Sequence, residues 1–332
     1  MKQIANRSPQ IPRRTVLAAA AGAGVSLLWP LSARAQQYPS KPIRLVVPVT
    51  PGGPSDLVGR IWADKVGKDL GQPVVVENKP GASHLLGTDS VAKAAADGYT
   101  LLQASSNMAI NPAVFEKLPF DTVKDFAPVG FTHSTPLVLV VASSLPVRNF
   151  REFIDYLKKE GERVSFGTTG QGSPQQLATA LLLRQAGISG PVEVAYKGSS
   201  QAHPDLLSGR VNFMIDPLAT VQAHIAAGTL RALAVTTAAR LAALPNVPTV
   251  AESGLPGYEV VSWGAVFAPA ATPGPVIAAL NKALEKYIGS DEARTKLGEM
   301  GLIPRTGTPQ EVASYLAAEI SKWRALVKPA RG

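Results

Sequence analysis

Short apolar runs and amphipathic helical stripes alternate from residue 43 to residue 327, and no other feature of the sequence restricts the fold as strongly. Residues 43–49 (IRLVVPV) form a short apolar run, as in a strand covered on both faces. Beyond Pro51-Gly52-Gly53-Pro54, Ser55 is placed to cap a helix in which Val58, Trp62, Val66 and Leu70 recur every four residues. The unit then repeats. Strands are expected over 74–77, 99–104, 137–142, 164–167, 192–196, 211–216 and 230–236, with a longer strand-like run over 258–268. Helices are expected over 85–95, 111–115, 174–186, 201–207 (irregular at Pro204) and 219–227, and from Asn149, Pro275 and Thr308 onward. Asn149 with Glu152, and Thr308 with Glu311, have capping-box spacing, and Pro309 suits a first helical turn. In the last helix Val312, Leu316, Ile320, Trp323 and Val327 form the inward stripe.

This pattern predicts an α/β fold of mostly parallel sheets with helices on both faces. A composition 45% hydrophobic and 17% charged can fill the core of a globular chain. The length suits two domains better than one. The long strand-like runs near 140 and 258 are the expected passages between them. The first domain would comprise 36–139 plus 259–332, and the second 140–258.

The N-terminus has the order of a secretory signal. Lys2, Arg7, Arg13 and Arg14 precede an uncharged apolar stretch over 15–31, and Ala33-Arg34-Ala35 is a small-x-small cleavage site. Arg13-Arg14 resembles a twin-arginine pair. Export to the periplasm with cleavage after Ala35 is the expectation. The leader holds five basic residues and no acidic one, so removing it lowers the net charge from +9 to +4. The basic balance is therefore weak support for a nucleic-acid partner, and no basic run with interleaved aromatics follows. The absence of cysteine excludes disulfides, thiolate metal sites and cysteine nucleophiles.

In open α/β sheets, ligands bind beyond the carboxyl ends of strands, beside helix N-termini. Six loops occupy such places: 50–56, 78–84, 105–107, 168–173, 196–200 and 216–217. They share glycines, hydroxyls and small side chains. Glycine lets a ligand approach the backbone, and free amides at helix starts attract anions. Enzymatic patterns are weaker. Gly170-Gln171-Gly172-Ser173-Pro174 is not a nucleophile elbow, and no phosphate-binding loop or dinucleotide fingerprint occurs. His84, His133, His203 and His224 lack metal-ligand spacing, and His203 and His224 are expected on helix surfaces. Asp56 and Asp216 can be a pair for acid–base work, or can order loops and cap helices. No metal and no cofactor is implied.

At these loops the chain resembles the Bug-type, TctC-like extracytoplasmic solute receptors of tripartite tricarboxylate transporters. The resemblance rests on KPIRLVVPVTPGGPSDLVGR (41–60), ENKPGASHLLG (77–87), DGYTLLQASSNMAINPAVF (97–115), VSFGTTGQGSPQQLA (164–178), YKGSSQAHPDLLSGRVNFMID (196–216), residues 228–260, Trp263 and APAATP (268–273). It implies a two-domain periplasmic binding protein of type II, a Venus flytrap joined by two crossover strands. It further implies a monomer that captures a small carboxylate without catalysis and delivers it to a membrane permease. The alternatives are an exported enzyme acting on a small carboxylate and a ligand-presenting sensor. Carried over by motif, the contacts are Pro51, Gly52, Gly53, Ser105, Asn107, Thr168, Thr169, Ser173 and Asp216, with Asp56 ordering the first loop. One departure stands out. The family's second loop usually carries Gly-Ala-Gly-Gly, and here it is Gly81-Ala82-Ser83-His84. Ser83 and His84 thus join the candidate contacts. A neutral His84 can donate a hydrogen bond, a charged one can pair with a second carboxylate, and either can shrink the pocket.

Overall fold

The computed structural model describes residues 38–327. The expected leader, its arginine pair and its cut after Ala35 lie outside the described residues. Among the described residues no helix is long and apolar enough to cross a membrane.

The elements follow one another as strand and helix for most of the chain. β1 (Ile43–Val47), α1 (Pro54–Leu70), β2 (Val74–Asn78), a 3-10 turn (Ala82–His84), α2 (Leu85–Ala92), β3 (Thr100–Ser105) and α3 (Asn107–Val114) form the first stretch. The long β4 (Phe126–Ala142) leads into α4 (Phe150–Glu160), β5 (Ser165–Thr168), α5 (Pro174–Gln185), β6 (Val192–Ala195), α6 (Ser199–Leu207), β7 (Phe213–Pro217), α7 (Leu218–Ala226) and β8 (Leu230–Val235). β9 (Val261–Pro269), α8 (Gly274–Ile288), α9 (Asp291–Glu299), β10 (Ile303–Pro304) and α10 (Pro309–Val327) complete it.

The strands lie in the order β2-β1-β3-β9-β4-β7-β5-β6, with β10 and β8 also on β4. β4 belongs to two ladders in turn. From Phe126 to Pro136 it pairs with β9, and from Leu137 onward with β7 and β8. The expected α/β class holds, with one amendment to mostly parallel sheets. Pairs among β1, β2 and β3, and among β5, β6 and β7, are parallel, but every pair that includes β4 or β9 is antiparallel. A strand that leaves one sheet for another can arrive against its new neighbours in either sense, and here it meets them head-on.

Period-2 alternation places core on both faces of the second half. Leu137, Leu139 and Val141 share one apolar cluster with Phe213 and Ile215. Val138 and Val140 share another with Met214, and with Ala202 and Leu206 of α6 and Val221 of α7. In the first half, α1 buries Val58, Trp62 and Val66, as its spacing predicts. The Trp62 indole N–H donates to buried Gln103 at 2.7 Å, so a polar group in the sheet is satisfied from the helix.

Several local expectations need correction. Ser55 does not cap α1. Gly53 precedes the helix and Pro54 opens it, because proline's fixed φ suits a first turn. β4 begins at Phe126 rather than 137, since a stretch with Pro128, Gly130, His133 and Pro136 lacks an apolar run. Register shifts at Pro128/Gly130 and Phe131/His133 let it pair nonetheless. α3 starts at Asn107, earlier than expected, with Pro112 inside it. α9 and β10 were not anticipated, and Val327 is exposed rather than part of the inward stripe. The Asn149 cap and the Thr308–Glu311 capping box both form. Glu152 N–H donates to Asn149 Oδ1 at 2.9 Å, and Glu311 N–H to Thr308 Oγ1 at 3.2 Å.

Candidate functional site

Strand direction fixes where the six loops meet. β1, β2 and β3 are parallel, so their carboxyl ends emerge at one edge, and those of β5, β6 and β7 do likewise. β3 and β4 are each antiparallel to β9, so β4 runs in the direction of β3 and leaves the first ladder through its carboxyl edge. It then meets β7 head-on, with Leu137 opposite Pro217 and Val141 opposite Phe213. The two carboxyl edges therefore face each other across the middle of β4. Thr135 lies opposite Ser262, whose hydroxyl is 3.0 Å from Ser106 Oγ, and Val138 lies opposite Asp216. Three residues of strand, about 10 Å, separate these points.

The first loop is organised by Asp56, which is buried. Its carboxylate accepts from the Gly52 amide at 2.9 Å, from Arg60 Nε at 3.0 Å and from Asn78 Nδ2 at 2.8 Å. Burial raises the pKa of this acid, but the hydrogen bonds from Arg60, Gly52 and Asn78 outweigh it and hold the group below its ordinary value. Pro51 has no amide proton and that of Gly52 is committed to Asp56. The free donor among Pro51, Gly52 and Gly53 is thus the Gly53 N–H.

The second loop holds Ala82, Ser83 and His84 at φ 46°, 52° and 75°. Such left-handed backbone costs a residue with a side chain roughly 1–2 kcal/mol. It is kept in place by Asn111 Nδ2, which donates to the Ser83 carbonyl at 2.9 Å, and by Thr88 Oγ1, which donates to the His84 carbonyl at 2.9 Å. The His84 ring lies with Nδ1 3.1 Å from Ser105 Oγ, and Ser105 Oγ donates to Asn107 Oδ1 at 3.4 Å. Loops two and three are therefore joined through His84, Ser105 and Asn107. Burial lowers the His84 pKa to about 4, so the ring is neutral at pH 7.

The fourth loop is fastened from within. Thr168 Oγ1 donates to Glu193 Oε1 at 2.6 Å and accepts from the Gly170 amide at 3.1 Å. Thr169 Oγ1 donates to Gln175 Oε1 at 3.1 Å, and Ser173 Oγ caps α5 by accepting from Gln176 N–H at 3.2 Å. Gly172 adopts φ 73°, and a Cβ there would touch Ile110 and Val114. This loop of the second half therefore lies against α3, the helix that opens at Asn107.

Asp216 is fully buried and has three side-chain partners. Ser199 Oγ donates to Oδ1 at 2.6 Å, while Thr220 Oγ1 at 2.6 Å and His203 Nε2 at 2.9 Å reach Oδ2. His203 is thus buried rather than on a helix surface as expected, and His224 packs edge-on to it at 5.3 Å. His203 and Glu193 are the supports that sequence reasoning missed. The available signal was spacing: Ser199 with His203 and Asp216 with Thr220 each stand four apart, one helical turn. Asp56 and Asp216 each belong to a separate hydrogen-bond network. Among the described residues no group of three or more His, Asp or Glu is placed to hold a metal ion.

The family model described as tripartite tricarboxylate transporter family receptor matches residues 58–331. Protein BugT of Bordetella pertussis is 36% identical over 296 residues, covering 89% of this chain and 90% of its own length. Among solved structures, Rpa4515 of R. palustris with adipate superposes with a TM-score of 0.76 at 36% identity, covering 87% of this chain and 97% of that one. MatC from Rhodopseudomonas palustris with bound malate gives 0.73 at 32% identity, covering 88% and 100%.

Proposed function

The chain belongs to the tripartite tricarboxylate transporter receptor family, and on that premise we propose that it is a periplasmic receptor that captures a small carboxylate and delivers it to a membrane permease. The observation that carries the reading is the pair of carboxyl edges facing each other across β4, each lined with loops that open helices. The adipate and malate bound in the two neighbours support a carboxylate as ligand. Two lobes, 36–139 plus 259–332 and 140–258, close on the ligand about β4 and the return into β9. Asp56, Thr168 and Asp216 spend their polar atoms inside the protein. They hold loop backbone in position, while the Gly53 amide, the Ser173 hydroxyl and the groups around Ser105 meet the ligand.

Several helix N-termini at roughly 0.3–2 kcal/mol each, with hydroxyl hydrogen bonds and apolar burial, approach the 8 kcal/mol or so that micromolar binding requires. No nucleophile–base pair is needed for that task. The chain is exported, cut after Ala35 and works without a cofactor. Thermal unfolding of the mature protein against mono-, di- and tricarboxylates tests the reading. At least one acid should raise the midpoint saturably. A flat response across a broad panel would exclude it.

A further inference from the structure

Three consecutive residues with side chains stand in backbone that glycine adopts freely, and the last places its ring at the carboxyl edge. Strand order shows how far that ring reaches. β1 lies between β2 and β3, so a contact from the loop after β2 to Ser105 at the end of β3 spans two strand spacings, about 10 Å. The loop after β2 therefore crosses beyond β1 and brings the imidazole to the end of β3.

The hydrogen-bond chain favours one placement of its proton. Ser105 has one hydroxyl proton, which goes to Asn107 Oδ1. In that arrangement Nδ1 of His84 supplies the proton in its contact with Ser105 Oγ. The other nitrogen, Nε2, is left bare. It has no protein partner among the described residues and is not sealed in the core. Burial keeps the ring uncharged, so Nε2 acts as an acceptor. An acceptor repels a carboxylate oxygen and attracts a hydroxyl or ammonium proton.

Resting on the receptor reading above, we propose that His84 is a specificity-determining residue. It closes the first-half side of the site and offers Nε2 to a hydrogen-bond donor on the ligand, so that hydroxy or amino carboxylates are taken and plain dicarboxylates are refused. The anchoring carboxylate lies on the loop amides, and the donor-bearing carbon faces the ring.

Titration calorimetry with lactate against propionate, malate against succinate, and adipate tests this on the mature protein and H84G. The hydroxylated member of each pair should bind the unsubstituted protein about 10-fold more tightly. In H84G that ratio should fall toward one and adipate should gain affinity. Glycine accepts φ 75° without strain, so H84G should fold. H84N, which also tolerates this backbone, serves as the second variant. Equal binding within the pairs, or a ratio that persists in H84G, overturns the inference and leaves the receptor reading intact. Nitrogen NMR of the His84 ring gives a ligand-free readout: Nδ1 protonated and Nε2 bare at pH 7 are expected. A ring protonated at Nε2, or charged, overturns the inference even if no acid binds, whereas failure of every acid alone removes the receptor reading.

Discussion

His84 and His133 carry the same electrostatic condition at different depths. His133 is buried in β4, its Nδ1 3.0 Å from Thr132 Oγ1 and its ring against Gly264, where any Cβ would collide with it. Burial lowers both pKa values from 6.5 to about 4. The sign of the consequence follows. Between these values the unfolded chain binds protons that the folded chain refuses, so stability is full above about pH 6.5 and declines as pH falls toward 4. For the fully buried His133 the loss is on the order of 3 kcal/mol, and for half-buried His84 it is smaller. Urea midpoints should therefore fall between pH 7.5 and pH 5, and the fall should be shallower in a His133→Gln variant. A pH-independent midpoint across that window would show that the rings take up protons equally in the folded and unfolded states.

Thr236, just after β8, ties β4 to the segment that leads into β9. Its amide and hydroxyl both donate to the Leu137 carbonyl of β4, and the hydroxyl also reaches the Val260 carbonyl at 2.6 Å, one residue before β9. Valine has the same shape without the oxygen, so Thr236→Val leaves the buried Val260 carbonyl with one fewer partner at a cost of about 1–3 kcal/mol. Chemical denaturation should show that loss with an unchanged m-value. A neutral outcome would mean that the hydroxyl contributes nothing to fastening the strands.

For the whole molecule, the proposed receptor role implies a closing motion of the two carboxyl edges that face each other across β4. If β4 and the segment into β9 act as hinges, ligand contacts made from both edges favour a shut state. Small-angle scattering should then give a smaller radius of gyration with the bound acid than without it. An identical radius at saturating acid would mean that the edges are fixed and that binding needs no closure.

The alternation of apolar runs and helical stripes, local in character, was legible in the sequence, as were the caps at Asn149 and Thr308 and the loops rich in glycine and hydroxyls. These features need only neighbours a few residues apart. Three others were not. The antiparallel entry of β4 depends on which strands pair at long range. The burial of His203 depends on α6 laying that residue against Asp216. The commitment of the Gly52 amide, Thr168 and Asp216 to internal partners depends on which donors arrive from distant segments. A sequence names the groups able to hydrogen-bond, but only the packed chain decides which of them are already spent.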